Sequence, residues 1–136
     1  MSYAITLGER LPEVIIGPFD ADALQHYADI SGDTNPLHLD EKLAQSIGFS
    51  APPVHGMKIL AAFEPMLKNW RSELKIIGLS GKFVQPILRG ETAKLTGKVL
   101  RVSDTEIFVR LFAHGSQRLP AIIGEARLRP PTEAAA

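Results

Sequence analysis

The chain has 136 residues, 45% hydrophobic and 22% charged, which suits one folded domain with a real core and argues against disorder. Its 15 basic and 15 acidic residues cancel, so a nucleic acid or a membrane surface lacks the basic face it usually requires, and little keeps copies of the chain apart. There are no cysteines, which excludes disulfides, thiolate metal sites and cysteine nucleophiles.

The first residues, Met1 to Thr6, carry no basic stretch followed by an apolar one, and no apolar run approaches the roughly 20 residues of a membrane span. A soluble, cytoplasmic protein is the expectation. Residues 1–19 read as an irregular arm with a short strand, Glu13 to Ile16, ended by Gly17-Pro18. Asp20 suits the N-cap of a helix over Ala21 to Ile30, with Ala21, Leu24, Tyr27, Ala28 and Ile30 as its apolar positions. His26 and Asp29 fall on its polar side, and Gly32 stops it.

A loop, Asp33 to His38, follows. Asp40 caps a short helix over Glu41 to Ile47, closed by Gly48. Phe49 to Pro53 cannot be helical, because each proline restrains the residue before it to an extended shape. The most apolar helix candidate runs from Gly56 to about Trp70, with Ile59, Leu60, Phe63, Met66, Leu67 and Trp70 as one buried stripe. Pro65 lies inside it and predicts a kink or an early end.

From there the pattern is β. Strands are expected at Ile76–Gln85, Thr92–Arg101, Thr105–Ala113 and Ala121–Leu128, with hairpin-like connections at Pro86–Gly90, Ser103-Asp104 and His114–Pro120. The alternation in Lys94–Leu100 and in Glu106–Leu111 means one covered face and one wetter face. The tail from Pro130 to Ala136 reads as frayed. A long apolar helix followed by an antiparallel meander implies an α+β domain, one helix lying against a curved sheet, over residues 1–136. Open sheet edges make pairing with a second copy the expected way to cover them.

Two segments carry chemistry. The first is Ser31-Gly32-Asp33-Thr34-Asn35-Pro36-Leu37-His38, which sets a carboxylate and an imidazole on one stiff loop. Gly32 opens a turn conformation closed to other residues, and Pro36 fixes its own φ while restricting Asn35. A carboxylate and an imidazole sharing one water can remove a proton and return another. The Asn35 amide orients either group or holds the loop. The same residues also suit Asx-type turns with His38 satisfied locally. The second segment is His55-Gly56-Met57. The first N–H groups of a helix beginning there have no internal partner, and Gly56 lets a ligand oxygen approach, so they offer an oxyanion site; Gly56 equally suits close packing at a helix start. A structural role is the expectation for His55. There is no His-Glu-x-x-His, and the spacing of His26, His38 and His55 matches no common metal motif, so no metal is expected. No phosphate loop, nucleophile elbow or dinucleotide fingerprint is present.

These residues resemble a known family. Tyr27, then Ser31-Gly32-Asp33-x-Asn35-Pro36-Leu37-His38, then Ala44 after five further residues, is similar to the signature of MaoC-like (R)-specific enoyl-CoA hydratases and dehydratases. Val54-His55-Gly56-Met57 and Phe83-Val84-x-Pro86-Ile87-Leu88-x-Gly90-Glu91 resemble that family's helix start and strand-turn segment. The resemblance implies a hot-dog fold, an antiparallel sheet wrapped around a long central helix, in a homodimer. It implies reversible addition of water to a trans-2-enoyl thioester, without metal or redox cofactor. Asp33 and His38 would hold and activate the water, Asn35 would support them, and the Gly56 N–H would polarise the thioester carbonyl. The acyl chain would run along the helix past Met57, Leu60 and Glu64, and Glu64 and Pro65 point to a short, polar or unusually shaped pocket. The same chemistry on an acyl-carrier-protein thioester is the alternative, with Arg71, Lys75, Lys82 and Arg89 as candidate docking charges. A non-catalytic acyl-thioester-binding subunit is a further one. So is a thioesterase using Glu64.

Overall fold

The computed structural model describes residues 5–131. In chain order, strand β1 is Val14–Ile16, helix α1 Ala21–Ser31, helix α2 Glu41–Ser46, helix α3 Gly56–Ala61 and helix α4 Phe63–Trp70. Strands β2, Lys75–Phe83, β3, Ala93–Val102, β4, Ile107–His114, and β5, Ile122–Arg129, complete the fold. A short 3-10 turn, Pro36–His38, stands between α1 and α2. All strand pairs are antiparallel, and the sheet order is β1-β3-β4-β5-β2. This is the hot-dog arrangement: five strands, with the apolar helix pair on one side. No helix among the described residues is long and apolar enough to cross a membrane.

Local chemistry sets the helix ends. The Asp20 carboxylate accepts the Ala23 N–H at 2.8 Å and opens α1, and Gly32, at φ 78°, takes the left-handed cap that ends it. Asp40 does the same for α2, accepting from Lys42 and Leu43 at 3.0 and 3.2 Å. On α1 only Leu24 and Ala28 are buried. Ala21 and Ile30, expected on the covered face, stand in solvent.

The long apolar helix is broken, but not at its proline. α3 ends at Ala61 and α4 starts at Phe63, with the Ala62 N–H donating back to Ile59 in a tighter, 3-10-like turn. A proline ring clashes with the carbonyl four residues earlier, which for Pro65 is Ala61. The break therefore appears one turn ahead of the residue that causes it.

Ile59, Leu60, Phe63, Met66 and Leu67 of these helices join Leu95 and Val99 of β3, Ile107, Val109 and Leu111 of β4 and Ile122, Ala126 and Leu128 of β5 in one core. Each such side chain, fully buried, contributes about 1.5–3 kcal/mol. β4 alternates buried and half-buried residues without a slip, as a strand with one covered face must.

One connection departs from expectation. Pro86–Gly90 does not close a hairpin between β2 and β3. β2 pairs with β5, from Lys75 opposite Arg129 to Phe83 opposite Ile122, and the chain then crosses to the other side of the sheet before β3 begins. That crossing runs beside residues 52–54. Val54 N–H donates to Ile87 O at 2.7 Å and Arg89 N–H to Pro52 O at 2.8 Å, with a lone bridge between Pro53 and Leu88.

Candidate active site

The loop after α1 is built from short hydrogen bonds. Asp33 N–H donates to Ser31 Oγ at 3.1 Å, Thr34 N–H to Gly32 O at 3.1 Å, and Leu37 N–H to Asn35 Oδ1 at 3.0 Å. His38 N–H then donates to Asn35 O at 3.1 Å, and Asp40 N–H to Pro36 O at 2.8 Å. Asn35 thus holds the loop, capping the 3-10 turn with its side chain.

The loop presents Asp33 and His38 on one side, against His55. A carboxylate oxygen of Asp33 and one ring nitrogen each of His38 and His55 all lie within 4.8 Å of one another. Such a gap between the carboxylate and His38 is one that a single water spans with two ordinary hydrogen bonds. The tautomers follow from the partners. His38 Nδ1 faces the Pro53 carbonyl at 2.8 Å, and a carbonyl only accepts. Nδ1 therefore carries the hydrogen, and the neutral ring leaves Nε2 bare as a proton acceptor. The carbonyl that fixes it belongs to the 52–54 segment tied to the crossing chain.

His55 is the buried member, 1% exposed. Its Nε2 lies 3.2 Å from the main-chain oxygen of Asp33, and its ring stacks on His38 with centroids 4.0 Å apart and planes 25° apart. Tyr27 of α1 covers it from elsewhere at 4.7 Å. Burial, then the charge that His38 would carry, hold His55 below its ordinary value of 6.5, so it stays neutral.

Asp33, His38 and His55 are the group among the described residues with metal-ligand spacing. The two rings are stacked nearly parallel, so their in-plane lone pairs run alongside one another instead of converging, and each ring already spends one nitrogen on a carbonyl. The trio suits a water better than a metal ion.

Beside the loop lies a cavity of about 360 Å³, lined by Asp33, Gly56, Met57, Ile59, Phe83 and Ile122 among others. Gly56 is the first residue of α3, and a Cβ on it would meet the Phe83 ring at 2.7 Å. The Phe83 ring thus packs where any other residue's side chain would begin, which a glycine alone permits. Met57, Phe83 and Val84, 58%, 51% and 39% exposed, form an apolar rim.

The sequence profile described as the MaoC like domain matches residues 6–111. The chain belongs to this family. As a MaoC-like chain it is 32% identical over 119 residues to the (R)-specific enoyl-CoA hydratase of Aeromonas caviae, covering 83% of this chain and 87% of that one. A solved (R)-hydratase from A. caviae superposes with a TM-score of 0.85 at 25% identity, over 96% of this chain and 100% of that one. Other relatives are matched over a smaller share of their length. The chain spans 51% of a mitochondrial 3-hydroxyacyl-[acyl-carrier-protein] dehydratase of Arabidopsis thaliana, at 29% identity over 87 residues and 64% of this chain, and 6% of the yeast fatty acid synthase subunit beta, at 20% identity over 96% of this chain.

The residues expected to act together are not all together in this MaoC-like fold. Asp33, Gly56 and Met57 meet at the cavity, and His38 stands within water-bridging reach of Asp33. Leu60 is buried in the core and does not line the cavity. Glu64 points to solvent, 59% exposed and 3.8 Å from Lys68 one turn on. Of the proposed docking charges, Arg71 is bonded to Glu9 and Arg89 is paired with Glu41 at 3.4 Å. Phe83, on the cavity wall, was visible only as part of the strand-turn motif, because its meeting with Gly56 depends on sheet placement.

Proposed function

We propose that this MaoC-like protein is an (R)-specific enoyl-CoA hydratase, adding water reversibly to a trans-2-enoyl thioester and, in reverse, dehydrating the 3-hydroxyacyl thioester. The observation that carries the reading is the gap of at most 4.8 Å between an Asp33 oxygen and a His38 nitrogen, with Asp33 itself lining the apolar cavity that Gly56 also lines.

The thioester carbonyl accepts from the Gly56 N–H, which draws electron density from C3. The water held between the Asp33 carboxylate and bare His38 Nε2 attacks C3 with its oxygen as one of the two takes its proton. Negative charge moves through C2 to the carbonyl oxygen, opposite the Gly56 N–H. A proton delivered from the pair to C2 completes the addition and returns both groups to their starting state. Asn35 holds the loop throughout. The chain's own groups suffice, so no cofactor is invoked.

The protein acts as a homodimer in this reading. β2 is an edge strand of nine residues whose free side carries no strand among the described residues, and Phe83 and Val84 expose apolar surface where it ends. A second copy pairing edge to edge would satisfy the unpaired backbone and shelter the cavity mouth.

The decisive experiment is the loss of enoyl-thioester absorbance when purified protein is added to a panel of enoyl-CoAs, with crotonyl-carrier protein alongside. Turnover of crotonyl-CoA supports the hydratase reading. Activity on the carrier-protein thioester alone would reassign the substrate, and release of free thiol would make the protein a thioesterase. Sedimentation of the same sample reports the dimer.

A further inference from the structure

We propose that His55 is a positioning residue, which sets the aim of Asp33 and His38 together through one donated hydrogen bond and one ring stack. The proposal rests on the hydratase reading for its kinetic consequence, but its geometry stands alone.

His55 is the residue that touches both halves of the pair. Its Nε2 faces the carbonyl oxygen of Asp33 at 3.2 Å, so that nitrogen carries the ring hydrogen and donates it. The Asp33 peptide is thereby pinned from beneath, and the side chain above it leaves the backbone in a fixed direction. The flat of the same ring lies 4.0 Å from His38, whose other constraint is the bond from its Nδ1 to Pro53 O. One bond alone would let the His38 ring pivot about it. The stack removes that freedom and fixes the plane of the ring. The Tyr27 ring also meets His55, with centroids 4.7 Å apart, so the positioning ring is itself held.

The remaining nitrogen identifies the tautomer. His55 Nδ1 is buried and has no hydrogen-bond partner among the described residues. Because a buried hydrogen with no acceptor is costly, the neutral ring keeps its one hydrogen on Nε2 and leaves Nδ1 bare. A charged ring would bury a second, unmet hydrogen, and burial of the ring disfavours that charge. A purely space-filling residue in this place would need neither the tautomer nor the donor.

The test pairs two variants with one spectroscopic measurement. His55→Phe keeps a stacking ring and removes the donor; His55→Gln keeps a donor and removes the ring. With each contact carrying part of the aim, His55→Phe should lower kcat about 10- to 100-fold with KM within about two-fold, because a misplacement of about 1 Å costs on that order. His55→Gln should lie between it and the native enzyme. Nitrogen-15 NMR of the native protein should show His55 neutral with hydrogen on Nε2 and His38 with hydrogen on Nδ1, and the His38 pattern should shift in His55→Phe. Native kcat in a folded His55→Phe variant would overturn the proposal. So would a native spectrum with His55 protonated on Nδ1, and that measurement holds even if His55→Phe fails to fold. If the native protein hydrates no enoyl-CoA, the hydratase reading falls while the tautomer result still decides the role of His55.

Discussion

Gly56→Ala probes the cavity most directly. The added Cβ would sit 2.7 Å from Cε1 and 2.9 Å from Cδ1 of Phe83, far inside contact distance. Overpacking of this kind costs about 1–3 kcal/mol when neighbours are locked. Phe83 is half exposed, so its ring can swing outward, and the low end, about 1 kcal/mol, is the expected cost. For a chain of this length that lowers Tm by about 3–5 °C. The catalytic effect should be larger than the stability effect. Both the new methyl group and the displaced ring crowd the place where the carbonyl meets the Gly56 N–H, and loss of one such donor costs about 10²–10³ in kcat. Thermal unfolding and turnover of crotonyl-CoA measure the two, and Gly56→Val should be worse on both. Phe83→Leu in the Gly56→Ala background should recover stability before activity. Native kcat in Gly56→Ala would refute the oxyanion role of this N–H.

Three further outcomes are expected. Asp33→Asn and His38→Ala should each lower kcat by about 10²–10⁴ in steady-state assays, with far-UV circular dichroism unchanged. His55 is buried neutral with its pKa below 6.5, so its contribution to stability is full above that value and is lost as pH falls below it toward the folded pKa; urea midpoints should drop there in the native protein and less in His55→Gln. Glu9 accepts from Thr6 N–H at 3.2 Å, Trp70 Nε1 at 3.0 Å and Arg71 Nη2 at 3.1 Å. Burial pushes its carboxyl up, but these bonds outweigh it and hold it below 4.5, so its stabilisation is present above 4.5 and lost as pH falls through the folded value. Glu9→Gln should therefore cost about 1–3 kcal/mol at neutral pH by urea unfolding, with the gap to the native protein closing in acid.

Much of this architecture is legible in the chain because its causes are local. Asp20 and Asp40 each cap a helix with their own side chain, and Gly32 ends one, so the boundaries of α1 and α2 are readable within a residue or two. Strand alternation in β3 and β4 is equally local. What is hidden depends on distant partners. Nothing near β2 says that it pairs with β5 instead of β3, since a strand's neighbour is chosen by the whole sheet. Glu64 lies eight residues after Gly56, which on an unbroken helix is already about 80° round from it. The helix is also broken at Ala62, and the carboxylate stands exposed beside Lys68. The Asp33–His38 loop was readable as a stiff bend, but the position of His55 behind it was not. A lone histidine before a glycine carries no sign of what it will stack on.

The pairing of residues 52–54 with 87–89 has a consequence for how defects in this protein will present. His38, proposed to hold the attacking water, takes one of its bearings from Pro53, and the Pro53 segment is moored to a stretch of chain that arrives after β2 is laid down. Substitutions at Ile87 or Leu88, which touch no reacting atom, should then yield proteins that fold and bind yet turn over slowly. A screen for soluble but sluggish variants would find them scattered along this mooring, well away from the signature loop.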